Sequence, residues 1–296
     1  MAVDWRMRMV AWLSDRIGDP SEIAGPEKAR AAIRKTTPKL IFGVPAVMQS
    51  VIDERVADVP VRRFTPRGVK DGVIVWFHGG GWVVGDAQSH EIPCRALAEA
   101  TQREVISVEY RLAPEHRFPA ALDDCLAVTR ALSSTHRAVA VAGDSAGGNL
   151  AAVVARRFVE EQRKLRAQLL VYPVTDCGAE SPSYERYASG HLLSRSTMRY
   201  YSREYAPDDA KRLHPDISPL RAGSLAGVAP ARVVLAECDV LHDEGLAYAE
   251  KLKADGVPVE LDEVPGFLHG FFNLQGFAES RAALQRAAAW LSQRLE

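Results

Sequence analysis

Apolar residues along this chain follow two rhythms, and the change between them falls near residue 55. Before it, Trp5, Met9, Trp12 and Ile17 recur at about helical spacing, with Gly18 and Pro20 placed to stop that helix. Pro26 and Pro45 suit the first turns of two more short helices. From about residue 59 onward, short apolar runs of strand length alternate with longer helical stretches. The runs are 73–77, 105–108, 139–142, 169–172, 233–236 and 259–264. This alternation predicts an α/β fold with a mostly parallel central sheet and helices on both faces. Most runs are too continuously apolar for strands with one wet face. Between 169–172 and 233–236 lies a connection too long for a bare loop, carrying Tyr184, Tyr187, Tyr200, Tyr201 and Tyr205. It reads as a structured insertion.

Composition narrows the function classes. The chain has 296 residues, 47% hydrophobic and 25% charged, enough to bury a large core. Lys plus Arg number 37 against 38 Asp plus Glu, so no net field favours nucleic acid or an anionic membrane surface. Cys94, Cys125, Cys177 and Cys238 stand far apart without a CxxC pair, which predicts buried free thiols and neither a zinc site nor a disulfide framework. No apolar run approaches the length of a membrane span, and the N-terminus lacks a signal-peptide pattern, so a cytoplasmic protein without stable membrane insertion is expected.

The chemistry begins at Gly143-Asp144-Ser145-Ala146-Gly147, which follows a buried strand and opens a helical stretch. That is the setting of a nucleophile elbow. So sharp a turn crowds the residues two before and two after the serine, and glycine meets the need at both places. His78-Gly79-Gly80-Gly81-Trp82 follows the strand 73–77 and offers bare backbone N–H groups that can converge on a substrate oxygen as it gains charge. A nucleotide cradle is the rival reading. GxGxxG does not align, because the sixth position from Gly79 is Val84, and there is no GK[ST].

A serine hydroxyl needs a base to take its proton, and usually an acid to orient that base. Active sites of parallel sheets gather at the carboxyl ends of strands. Of eight histidines, His269 follows the strand 259–264 and Pro265-Gly266, whereas His242 fits a helix start and His90 lies in or near a helix. Asp239 stands just beyond the strand 233–236. Asp243 and Glu244 compete with it but suit the N-terminus of the next helix, where its dipole favours acids. Glu237 suits a packed or paired role at the strand end. The site expected is therefore Ser145 as nucleophile, His269 as base and Asp239 as orienting acid, in the chain order of α/β-hydrolases.

These motifs resemble the hormone-sensitive-lipase-like family of bacterial esterases and lipases. The resemblance runs from about residue 55 to 275 and rests on HGGGW at 78–82, YRLAPEHRFPAALDD at 110–124, GDSAGGN at 143–149, YPVTD at 172–176, DVLHDEG at 239–245 and PGFLHGFF at 265–272. It implies an α/β-hydrolase fold with a helical cap, and oxyanion-hole donors at Gly79, Gly80 and Ala146. The layout it suggests is a helical part of the cap over 1–55, catalytic domain over 56–177, cap insertion over 178–220 and catalytic domain again over 221–296. One departure is Val240, where the family usually has proline; this could loosen the acid loop slightly. Arg111 and Glu115 are expected in buried hydrogen bonds or ion pairs and not against substrate.

The function expected is hydrolysis of short to medium acyl-chain carboxylic esters through an acyl-enzyme, with a small-molecule ester as partner and no metal or organic cofactor. Two alternatives stay open: an acyltransferase or amidase on the same triad, and a non-catalytic small-molecule receptor of the same fold. A homo-oligomer also stays open. Trp5, Met9, Trp12 and Phe42 from the N-terminal segment, and Tyr184, Tyr187, Leu192, Leu193, Met198 and Tyr201 from the insertion, are candidate walls of an apolar pocket.

Overall fold

Successive side chains of a strand point to opposite faces of its sheet, so a strand apolar at every position feeds two cores at once. That is what the apolar runs do here. In β3 (Val73–Phe77), Val73, Val75 and Phe77 enter one core while Ile74 and Trp76 enter the other. The same division holds in β5 (Val139–Asp144) and β7 (Ala231–Cys238).

The computed structural model describes residues 3–17, 25–35 and 39–296. Its N-terminal helices are α1 (Trp5–Ile17), α2 (Pro26–Lys35) and α3 (Lys39–Phe42). Gly18 and Pro20, expected to stop α1, lie outside the described residues. Pro26 opens α2 as expected, but Pro45 lies in irregular chain, because the third helix ends at Phe42 and Gly43 turns with φ 85° against Gln275. The helical region therefore stops at 42. Residues 50–55, read as helical, belong to the sheet.

Among the described residues eight strands run in the order β1-β2-β4-β3-β5-β6-β7-β8. The hairpin of β1 (Ser50–Val56) and β2 (Val59–Thr65) is antiparallel, as is the pairing of β2 with β4 (Glu104–Val108). From β4 through β3, β5, β6 (Ala167–Val171), β7 and β8 (Val259–Leu268) every pairing is parallel. One core lies between the sheet and α5 (Ala120–Thr135), α6 (Ala146–Glu160) and α10 (His242–Ala254). The other lies under α4 (Glu91–Thr101) and α11 (Ala278–Arg294). Between β6 and β7 the chain forms α7 (Ser183–Arg186), α8 (Arg195–Tyr205) and α9 (Asp209–Arg212), so the long connection is structured.

The hairpin does not stand out in the sequence because charged residues break up both strands, Asp53-Glu54-Arg55 in β1 and Arg62-Arg63 in β2. Their charges pair across strands, Arg62 with Asp53 and Arg63 with Glu54. No helix among the described residues is long and apolar enough to cross a membrane. The four cysteines are unpaired, and Cys177 is only half-buried where a buried thiol was expected.

Burial separates two kinds of apolar side chain, and stability measurements should separate them too. Leu284 of α11 is 1% exposed and Trp5 of α1 is 71% exposed. In denaturant titrations Leu284→Ala should cost about 2 to 5 kcal/mol, whereas Trp5→Ala should stay within about 0.5 kcal/mol of the parent.

Candidate active site

Four of the sheet's parallel strands end on one patch. Ser145 follows β5 and takes φ 56° and ψ −120°, a backbone conformation that side chains rarely adopt. The surroundings hold it there: its N–H donates to Val171 O at 2.9 Å, and its carbonyl accepts from Asn149 N at 3.0 Å. A Cβ on Gly147 would fall 1.9 Å from Phe77 O, and one on Gly143 would fall 2.3 Å from Gly147 O. Glycine is therefore required at both places by contact with backbone, as the motif suggested.

His269, at the end of β8, points Nε2 at Ser145 Oγ (2.9 Å) and Nδ1 at Asp239 Oδ2 (2.6 Å). A carboxylate can only accept, so Nδ1 carries the hydrogen and Nε2 presents its lone pair to the serine hydroxyl. Asp239 is buried, and its Oδ1 accepts Leu241 N at 3.0 Å. With Val240 in place of proline the loop is still tied down: Val240 is buried, and its carbonyl accepts the Ser183 hydroxyl at 2.5 Å. Tyr172 lays its buried ring against the imidazole, centroids 4.5 Å apart. The structure thus brings Ser145, His269 and Asp239 together. His242 is elsewhere, bonded to Asp243 and Glu263.

The residues expected to bind an oxyanion divide. Gly80 lines the cavity above Ser145, as does Gly81, which was not among those expected, and Ala146 opens α6, where the first N–H groups of a helix have no acceptor a turn earlier. Gly79 does not join them. Its N–H donates to Asp144 Oδ1 at 2.9 Å, so the donor assigned by resemblance is already committed to a buried carboxylate. A Cβ on Gly81 would fall 2.1 Å from the Tyr201 ring, which shows how closely the insertion packs on this loop.

Two buried histidines near this loop shift in opposite directions. Burial, and then the nearby His90 charge, push His78 down to about 4, and its Nδ1 bonds to Gly79 O. Burial also disfavours the charged form of His90, but Asp144 beside it outweighs this and raises its pKa. Asp144 bonds to Asn273 and lies against His90, and all three border the cavity over Ser145. In the sequence Asp144 stands only as the residue before the serine in its motif, and nothing marks His90 or Asn273 as belonging to the site.

The cavity over Ser145 measures about 580 Å³. Of the expected walls, Phe42, Leu192, Leu193, Met198 and Tyr201 line it, and Tyr184 and Tyr187 do not. Trp5, Met9 and Trp12 are exposed; α1 docks through Met7 and Ala11, which turns Val10 and Leu13 toward the cavity instead. Arg111 and Glu115 do form ion pairs, with Asp124 and Arg30, but both are about half-exposed, so they are surface braces and not buried groups. Arg30 also donates to Val83 O, fastening α2 to the glycine loop.

The parallel sheet with its site at the strand ends, a serine on a strained strand-to-helix turn and a histidine against it define the class as α/β-hydrolase. A family described by the alpha/beta hydrolase fold matches residues 74–273. The chain is 41% identical to an ethyl acetate hydrolase of Pseudomonas putida over 75% of this chain and 74% of that one. It is 38% identical to the carboxylesterase NlhH of Mycobacterium tuberculosis over 89% and 90% of the two chains. A hyperthermophilic esterase from the archaeon Pyrobaculum calidifontis superposes with a TM-score of 0.91 at 31% identity, covering 99% of each chain. The chain belongs to the hormone-sensitive-lipase-like family of α/β-hydrolases, and it is a carboxylic ester hydrolase.

Asp243 and Glu244 both occupy the first turn of α10, as expected, yet only Asp243 stays at the surface, paired with Arg186. Glu244 turns inward and accepts Thr175 N at 2.7 Å and Asp176 N at 3.3 Å, bracing the chain where it leaves β6. Burial raises its pKa to about 8 despite those bonds. The folded state therefore holds this proton more tightly than the unfolded chain does, and its contribution to stability falls as pH rises from the ordinary carboxyl range through about 8. Glu244→Gln keeps an acceptor for Thr175 and has nothing to titrate. Unfolding free energies should show the parent losing ground to this variant across that window; parallel curves would refute the assignment.

Proposed function

We propose that the protein hydrolyses carboxylic esters of short to medium acyl chain through an acyl-enzyme on Ser145. The observation that carries this reading is the unbroken line Asp239, His269, Ser145, with contacts of 2.6 and 2.9 Å. As Ser145 Oγ attacks the ester carbonyl carbon, His269 Nε2 takes the hydroxyl proton, and Asp239 steadies the imidazolium through Nδ1. The carbonyl oxygen, now an anion, is received by the N–H groups of Gly80, Gly81 and Ala146. Collapse breaks the bond to the alcohol oxygen, which takes the proton from His269 and leaves. Water then attacks the acyl carbon, giving one proton to His269; the bond to Ser145 Oγ breaks, His269 returns that proton to Oγ, and the carboxylic acid leaves the free serine. The residues support this sequence without a metal or organic cofactor.

The cap, formed by the N-terminal helices and the insertion over 178–220, decides which esters reach the serine. A cavity of about 580 Å³ falls within the size of small-molecule sites, and apolar side chains dominate its walls. Each buried methylene gains up to about 0.8 kcal/mol until the pocket ends.

Kinetics on esters of increasing acyl length test the reading. Turnover should peak at acyl chains of about two to eight carbons and then fall. Ser145→Ala and His269→Ala should each lose on the order of a millionfold in kcat, and Asp239→Asn about 10⁴-fold. Retention of most activity by either alanine variant, or faster turnover of emulsified long-chain triglycerides than of soluble short esters, would overturn it.

A further inference from the structure

One carboxylate touches three separate pieces of the active-site frame. Asp144 is buried; its Oδ1 accepts Gly79 N at 2.9 Å, its Oδ2 accepts Asn273 Nδ2 at 3.0 Å, and the same Oδ2 lies 3.4 Å from His90 Nε2. Gly79 immediately precedes Gly80 and Gly81. Asn273 ends the short 3₁₀ turn Phe271–Asn273, four residues after His269. His90 stands at the N-terminus of α4.

The fit leaves no slack. A Cβ on Gly79 would fall 2.6 Å from Asp144 Oδ2, so the glycine loop lies directly on the carboxylate. A carboxylate gives no hydrogen, so the Asn273 amide must face it with nitrogen, and the base-bearing loop is held in one orientation. Such a charge is not placed here to fill space. Burial opposes ionisation of Asp144, but His90, Asn273 and the Gly79 N–H together keep its pKa below the ordinary range.

We propose that Asp144 is a positioning residue that couples the oxyanion loop to the loop carrying His269, so that donors and base are set against Ser145 by a single carboxylate. This rests on the triad and oxyanion donors proposed above. The bonds of Asp144 go to Gly79, Asn273 and His90 and to no side chain of the triad, and at 2% exposed it barely reaches the cavity it borders. Its removal should therefore act on turnover and not on binding, and Asn273 should matter only through it.

Steady-state kinetics of Asp144→Asn, Asn273→Ala and the double variant on a soluble short-chain ester test this, with Ser145→Ala alongside. Asp144→Asn keeps an acceptor for Gly79 but sets an amide nitrogen against Asn273 or His90. Its kcat should fall about 10- to 100-fold with KM within about twofold. Asn273→Ala alone should lower kcat at least about fivefold, and the double variant should be no worse than Asp144→Asn, since the second change breaks a contact already lost. An unchanged kcat in Asn273→Ala, which is readable even if Asp144→Asn fails to fold, overturns the coupling. So do losses that multiply in the double variant, or a loss confined to KM. Full activity in Ser145→Ala would instead remove the esterase mechanism beneath it.

Discussion

Everything in this site depends on how closely the first turn of α6 approaches the end of β3. Gly147 sits where any side chain would strike the Phe77 carbonyl, and only that closeness allows Ser145 to stand at φ 56° on the turn. Strain of this kind persists only when surrounding bonds over-determine it. Here β6 and the chain just beyond it supply them: Val171 O accepts the serine's own N–H, and the Ser145 carbonyl accepts from Val174 N at 3.3 Å. The parallel sheet is thus part of the chemistry. Neighbouring strands end at the same height, so the glycine loop after β3 and the serine after β5 meet without any long connection.

The second requirement is buried charge that stays satisfied. Asp144, within the elbow, and Asp239, beyond β7, are each ionisable and each almost wholly removed from water. Each has backbone and side-chain donors: Gly79 N, Asn273 and His90 for the first, Leu241 N and His269 for the second. An unpaired buried carboxylate would be costly, so these bonds fix loops as well as charges. Glu244 shows the contrast. It has two backbone amides and no cation among its described partners, and its pKa is raised by burial to about 8.

Much of this was legible in the sequence where one residue type answers one physical need. Six strands announced themselves through short apolar runs, most of them continuous, and Ser145, Asp239 and His269 through their places just beyond strand ends. What failed to show was whatever depends on contacts between distant segments. The β1–β2 hairpin hid because its charges are satisfied across strands. The face that α1 turns to the cavity was misjudged, since Trp5, Met9 and Trp12 keep helical spacing but Met7 and Ala11 decide the docking. Gly79 could not be told from Gly81 along the chain, as three consecutive glycines look alike. The carboxylate sixty-five residues further on separates them.

The most direct measurement of the central claim is a crystal structure of the enzyme inactivated by an organophosphonate ester, which leaves a tetrahedral phosphorus where the acyl carbon would stand. Phosphorus should be bonded to Ser145 Oγ, with one phosphonyl oxygen about 2.7 to 3.1 Å from the N–H groups of Gly80, Gly81 and Ala146. Gly79 should still be bonded to Asp144. Phosphorus on any other residue, or a phosphonyl oxygen held by Gly79 with Asp144 displaced, would contradict the site described.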